Sequence, residues 1–226
     1  MKLKKIAAAA AAAVMVLAML TACSGGGGGG GVAVKKKIIY KDSRLAKIVS
    51  INQMYFEEKM MQSGITTNVK VARKNGKTSM DTYVGDNHWT TMIEKDDKNY
   101  YIEYPDCPNY KYNDKDGNKL TIPVYRVNIF APGEIDGGIL DGYDDDTEVD
   151  VGTYPVDGKN YYAESITDEG DNTETYCFDG MKIVAIVETK KDKQPHVTPI
   201  KNFRTTEVPD GLFELPVDAV DADTLK

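Results

Sequence analysis

The chain has 226 residues, 41% hydrophobic and 28% charged, with 35 acidic against 28 basic side chains and a formal charge of −7. This is the size and composition of one globular domain with enough apolar residues for a core. The acidic balance excludes nucleic acid as an expected partner, because phosphates call for a basic surface.

Residues 1–22 have the parts of an export signal: Lys2, Lys4 and Lys5, an apolar run from Ile6 to Leu20, then small residues before Cys23. The run is too short, and too closely followed by the cysteine, for a comfortable membrane span. Leu20-Thr21-Ala22-Cys23 resembles the lipobox of bacterial lipoproteins. That resemblance implies a diacylglycerol on the Cys23 sulfur, cleavage just before it and a second acyl chain, commonly palmitate, on the new amino terminus. Removing the three lysines of residues 1–22 takes the formal charge from −7 to −10. Gly25 to Gly31 is an unbroken glycine run, a flexible tether without side chains to pack. Lys35, Lys36 and Lys37 follow, placed either to meet anionic head groups near the anchor or simply to solvate the end of the linker. The expected organisation is a signal peptide over 1–22, a lipidated cysteine and tether over 23–37, a single domain over 38–220 and a short tail over 221–226. The expected location is the extracytoplasmic face of the cell membrane.

From Asp42 to about Glu58, the apolar positions Leu45, Ile48, Val49, Ile51, Met54 and Tyr55 follow a mostly helical spacing, with Asp42 or Ser43 as N-cap. One amphipathic helix is expected there, with room for a strand beginning near Tyr55. The rest reads as β, because turn signals recur at short intervals: Asn75-Gly76, Gly85-Asp86-Asn87, Asp96-Asp97, Asp114 to Asn118, Asp157-Gly158, Glu169 to Asn172 and Asp179-Gly180. Such spacing indicates antiparallel meanders.

Register can be counted from the turns. A turn at Asn75-Gly76 sets Lys74 opposite Lys77, Val71 opposite Met80, Val69 opposite Thr82 and Lys70 opposite Asp81. Turns at Asp86-Asn87 and Asp97-Lys98 then pair Val84 with Trp89, Met80 with Ile93, Ile93 with Ile102 and Thr91 with Tyr104. One apolar surface results: Val69, Val71, Met80, Val84, Trp89, Ile93 and Ile102, with Tyr100 and Tyr104 at its margin. It is expected either to be a core under the helix or to line a cavity for an apolar ligand. A second meander is expected over Tyr161 to Glu188, with an Asp179-Gly180 turn setting Phe178 against Met181 and Tyr176 against Ile183. Between the two, Ala131 to Val151 is rich in Gly and Asp and reads as an exposed loop or edge insertion.

Candidates for chemistry are few. His88 and His196, the two histidines of the chain, sit in no metal or nucleophile motif and read as solvated residues. Asp141, Asp144, Asp145, Asp146, Glu148 and Asp150 lack the spacing of a calcium loop, and Asp114 to Asn118 starts like one but has Lys119 and Tyr125 where glycine and glutamate are required. No metal, cofactor or catalytic residue is therefore expected. Cys107 and Cys177 either form a disulfide, which an exported protein can hold, or act as small buried hydrophobes.

Together, the segment Asn68 to Lys77, Trp89-Thr90-Thr91-Met92-Ile93, Lys98 to Ile102, Tyr176 to Ile183 and the terminal Val208 to Pro216 resemble the LolA-like half-barrel lipoproteins. The resemblance implies an incomplete antiparallel β-barrel with an N-terminal helix packed on its apolar face, enclosing a cavity that accepts acyl chains in relatives. The leading expectation is a membrane-anchored, non-enzymatic lipoprotein binding a lipid or other hydrophobic ligand. The alternative is an envelope interaction protein with a packed core and an acidic surface, Asp136 to Asp150, for a protein partner.

Replacing Cys23 by alanine should abolish lipid attachment and cleavage. Metabolic labelling with a fatty-acid probe checks this, and a labelled C23A chain would refute the anchor.

Overall fold

The computed structural model describes residues 33–62, 65–130 and 142–225. The signal peptide, Cys23, the glycine tether, and Asp136 and Asp141 of the acidic stretch lie outside the described residues. Among those described, the fold is mainly β: thirteen strands form one open, largely antiparallel sheet, with almost no helix.

In chain order the strands are β1 (Ala33–Ile39), β2 (Gln53–Gln62), β3 (Ile65–Lys74), β4 (Lys77–Val84), β5 (Asn87–Lys95), β6 (Lys98–Glu103), β7 (Val124–Val127), β8 (Glu148–Val156), β9 (Lys159–Thr167), β10 (Thr173–Asp179), β11 (Lys182–Thr189), β12 (His196–Arg204) and β13 (Val220–Asp221). Their order across the sheet is β1-β8-β9-β10-β11-β12-β2-β3-β4-β5-β6-β7-β13, and only the short β13–β7 pair is parallel. The two meanders, β2–β7 and β8–β12, are thus joined edge to edge by β12 on β2. Three expected boundaries move. Asp221, read as the start of a tail, ends β13, and Ala222 and Leu225 pack beside Cys107, Tyr110 and Val124. Ala33 to Lys37, read as tether, is most of edge strand β1, and Lys37 forms an ion pair with Glu148. Glu148 to Val151, read as loop, begins β8 with Val149 and Val151 buried, while Asp144, Asp145 and Asp146 lie on an exposed turn.

The N-terminal helix is much shorter than its apolar spacing predicts. Helix α1 (Arg44–Val49) has six residues, and the chain is extended again from Gln53. The cause is visible in the burial of Met54, Tyr55 and Phe56, three consecutive residues at 0%, 7% and 0% exposure. β2 is covered on both faces, so its apolar residues do not alternate with polar ones and imitate a helical face. The short helix still docks in the sheet. Leu45 and Ile48 join Met54, Phe56, Val69 and Val71 of the first meander, and Val149, Tyr176, Phe178 and Ile183 of the second, in one main core.

Six residues cannot sustain a helix alone in water, and α1 is held at both ends by distant side chains. At its start, the Glu164 carboxyl on β9 accepts from the backbone N–H groups of Arg44 (2.8 Å) and Leu45 (2.9 Å), and Ser43 Oγ accepts from Ala46 N–H (2.9 Å). At its end, Arg73 on β3 donates to the Val49 and Ile51 carbonyls, Ser50 Oγ donates to Lys47 O, and Ser50 N–H donates to Ala46 O. The orphan donors and acceptors of a helix are therefore met from both meanders.

On the opposite face, the C-terminal segment lays Val208 and Phe213 over Tyr55, Ala72, Ile93 and Ile102, forming a second core. Lys74 fixes this segment, donating to Val208 O and pairing with Asp210, each at 2.9 Å. A third cluster, Tyr154, Val156, Ala163, Cys177, Ala185 and Val187, belongs to the second meander, and a fourth gathers Cys107, Tyr110 and Val124. The two cysteines are free and lie in different clusters, so the candidate disulfide is not formed and each thiol is a small buried hydrophobe.

Glu164 is fully buried and also accepts from Tyr162 Oη at 2.8 Å. Glu164→Ala should therefore strand two helix N–H groups and a phenol, costing about 3 kcal/mol, with about half that for Glu164→Gln. Urea unfolding with an unchanged slope measures it.

Candidate functional site

The Asn75-Gly76 turn fixes β3 against β4 as counted, with both residues at positive φ (52° and 77°) and Val71 opposite Met80, Val69 opposite Thr82 and Lys70 opposite Asp81. The next turns differ. The β4–β5 turn is Gly85-Asp86, one residue earlier than expected, because its first position has φ +59° and glycine takes it without strain. A bulge then falls between Thr82 and Tyr83, after which Met80 faces Met92 and Ser79 faces Ile93. A single extra residue moves everything beyond it to the other face. The β5–β6 turn is Asp96-Asp97, two residues at positive φ, which sets Ile93 opposite Tyr100 and Thr91 opposite Ile102. The β10–β11 turn is likewise Gly180-Met181, placing Phe178 opposite Ile183 and, beyond a bulge, Tyr176 opposite Ile186.

The seven residues read as one apolar surface are consequently divided. Val69 and Val71 lie in the main core and Met80 packs against it. Ile93 and Ile102, both at 0% exposure, lie on the opposite face under Phe213. Trp89 packs against Cys107, Tyr110 and Val124, and Val84 is half-buried at the end of β4. They do not line a common cavity.

The same register brings together a polar cluster that sequence reasoning missed. On the face shared with Ile93, His88 is stacked between Tyr83 and Tyr104, with ring centroids 4.3 Å and 3.7 Å away. His88 Nε2 lies 3.2 Å from Asp81 Oδ1 and 3.0 Å from Thr91 Oγ1. Thr91 Oγ1 donates to Asp81 and stands 3.2 Å from the Tyr104 hydroxyl. Burial, with the Asp81 carboxylate adding to it, pushes the Tyr83 phenol up to about 12. His88 is therefore a packed, hydrogen-bonded residue and not the solvated one expected. Its signal was the run Asp81, Tyr83, His88, Thr91, Tyr104, visible only once the bulge is placed.

A second cluster sits at the rim of the main core. Glu58 follows Met54 and Phe56 on the inward face of β2 by strand alternation. On β10, Glu174 accepts from the Tyr143 hydroxyl at 2.5 Å, and that hydroxyl is 3.2 Å from Tyr176 Oη. Burial, reinforced by repulsion from Glu174 and Glu188, pushes the Glu58 carboxyl up to about 7. Gly142, at φ +65°, precedes Tyr143, and a Cβ there would come 3.0 Å from the Tyr40 hydroxyl.

Two loops use their acidic residues on themselves. Asp114 Oδ1 accepts from the N–H groups of Asp116 and Asn118, and Asp168 Oδ1 accepts from those of Gly170 and Asn172, all at 2.8–2.9 Å. The bonds from Asn118 and Asn172 hold both carboxyls below their usual range. Among the described residues, no group of His, Cys, Asp and Glu is arranged to hold a metal ion.

No family model matches the chain, and no curated protein matches it. Among solved structures it is similar to an uncharacterized conserved protein from Thermus thermophilus, with a TM-score of 0.46 and 8% identity, covering 79% of this chain and 94% of that one.

Glu58 carries a pH dependence. Its folded-state value near 7 lies above the ordinary 4.5, so the folded protein binds the extra proton. Stability from this group is full below about pH 4.5 and is lost as pH rises through 7, to a limit of about 3 kcal/mol. Glu58→Gln should flatten that slope and stabilise the protein at pH 8, as read from urea midpoints across pH.

Proposed function

We propose that the protein is an extracytoplasmic lipoprotein, held at the membrane through Cys23, that acts by binding a partner and not by catalysis. In this reading the sheet is an incomplete barrel similar to those of LolA-like lipoproteins. The main core supports the barrel geometry, since it unites side chains of β2 and β3 with those of β8 to β11 around Leu45 and Ile48, which requires the sheet to bend toward itself.

The observation that favours a protein partner over a lipid cargo is how this inner face is filled. Ile48, Met54, Phe56 and Val149 have 0% exposure, and Leu45 and Ile183 have 1%. Side chains of the protein occupy the volume that an acyl chain would take. A partner then meets the outside, where the exposed Asp144, Asp145, Asp146 and Glu148 form an acidic stretch next to edge strand β1.

The second reading is the lipid carrier. The position of α1 on the apolar face supports it, because a six-residue plug is the element that would have to leave to admit a chain.

Native mass spectrometry of the mature protein from its own host separates the two. The proposal expects a mass equal to the chain with its anchor, and loss of a cross-linked envelope partner when Asp144, Asp145 and Asp146 are changed to lysine. A reproducible, non-covalent lipid that disappears in Ile48→Trp would overturn it in favour of the carrier.

A further inference from the structure

The polar cluster around His88 opens onto a cleft of about 360 Å³ between the outer face of β4 to β6 and the C-terminal segment 211–217. Its floor is Asp81, Thr91 and Tyr104, and its wall carries Leu212, Leu215, Pro216 and the carboxylate of Glu214. We propose that this cleft is a binding site for a small organic cation: a primary ammonium carried on an apolar body. The proposal is independent of the partner-binding function above and concerns a different face of the sheet.

Charge and hydrogen bonding select the ligand. Both charged side chains lining the cleft are carboxylates, and no lysine or arginine of the described residues lines it. The Asp81 side chain is only 14% exposed, so it has lost much of its water. A carboxylate offers about four acceptor sites, and Oδ1 is engaged by Thr91 and His88; capacity remains for a donor arriving from the cleft. An ammonium supplies three donors and the opposite charge. A neutral molecule would cover this carboxylate without compensating it, and an anion would be repelled. The apolar wall and the Tyr104 ring then suit a hydrocarbon body attached to that head, and the cleft is at the small end of ligand-sized cavities.

The wall is preformed, which limits the ordering cost of binding. Phe213, at 0% exposure, pins the segment into the second core, while Lys74 holds Asp210 at 2.9 Å and Lys95 holds Glu214 at 2.6 Å. The bond from Lys95 keeps the Glu214 carboxyl below its usual range. The Lys95–Glu214 pair is neutral as a unit, so Asp81 is the carboxylate of the lining that has no lysine or arginine ion pair among the described residues; Lys70, opposite it in register, lies over the Tyr83 ring and outside the lining.

The test is a titration of the mature protein with 4-phenylbutylammonium, with 4-phenylbutanol and 4-phenylbutyrate as controls, followed by NMR of the Thr91, Tyr104 and Leu215 amides. Expected are shifts confined to the cleft, affinity for the ammonium at least about tenfold above that for the alcohol, and no binding of the carboxylate. Asp81→Asn should weaken the ammonium by about tenfold or more. The Glu214 side chain is 58% exposed, so Glu214→Gln keeps the fold even if Asp81→Asn does not; by freeing the Lys95 charge it should weaken the ammonium about threefold or more. Equal binding of the alcohol, shifts outside the cleft, no binding of the ammonium at millimolar concentration, or an unchanged affinity in both variants would each overturn the proposal.

Discussion

A six-residue helix braced from two directions holds this architecture together. Glu164 belongs to the second meander and takes the N–H groups at the start of α1; Arg73 belongs to the first and takes the carbonyls at its end. The brace suits the electrostatics of a helix, with an acidic group at the amino end and a cation at the carboxyl end. Arg44 adds to it by lying 3.8 Å over the Tyr162 ring and donating to Gly180 O at 2.8 Å. The helix thus adds a connection between two meanders that share one line of strand pairing and one main core.

Much of this could be read in the sequence, and the parts that could not have definite physical causes. Local signals were sufficient where one turn decides one pair: Asn75-Gly76 fixed β3 against β4 because both residues accept positive φ. They were insufficient where a bulge intervenes, since the extra residue, Trp89 on β5 opposite Thr82–Tyr83, leaves no mark in composition. The overlong helix came from burial on both faces, as Met54 and Phe56 serve one core and Tyr55 the other. The site suffered most, because grouping Ile93 with Val71 assumed a face that the bulge had already exchanged, and the same error concealed the His88 cluster.

Both faces of β2 and β3 are in use, and this shapes where binding can occur. The inner face is closed by α1 and the outer by the segment around Phe213. Concavities near these strands lie at the margins of those covers, where polar groups such as Asp81 and Thr91 meet the ends of the apolar packing. The concave surface of the domain thus lies at boundaries between covered and open sheet, where polar and apolar side chains meet.

The line where β12 meets β2 has a kinetic consequence. Within each meander, strands pair with neighbours in the chain, most of them through turns of a few residues and β6 to β7 through residues 104–123, so most of those contacts close small loops at little entropic cost. The β12–β2 line instead joins Ile200 to Glu58 and Arg204 to Tyr55, 142 and 149 residues apart, and its register breaks between Lys201 and Arg204. Two locally folded halves must find each other before that line can close, and α1 cannot be braced at both ends until they do. Of the strand pairs this joint spans the greatest separation along the chain and so carries the largest loop-closure cost, and while it is open the edges of β2 and β12 are unpaired.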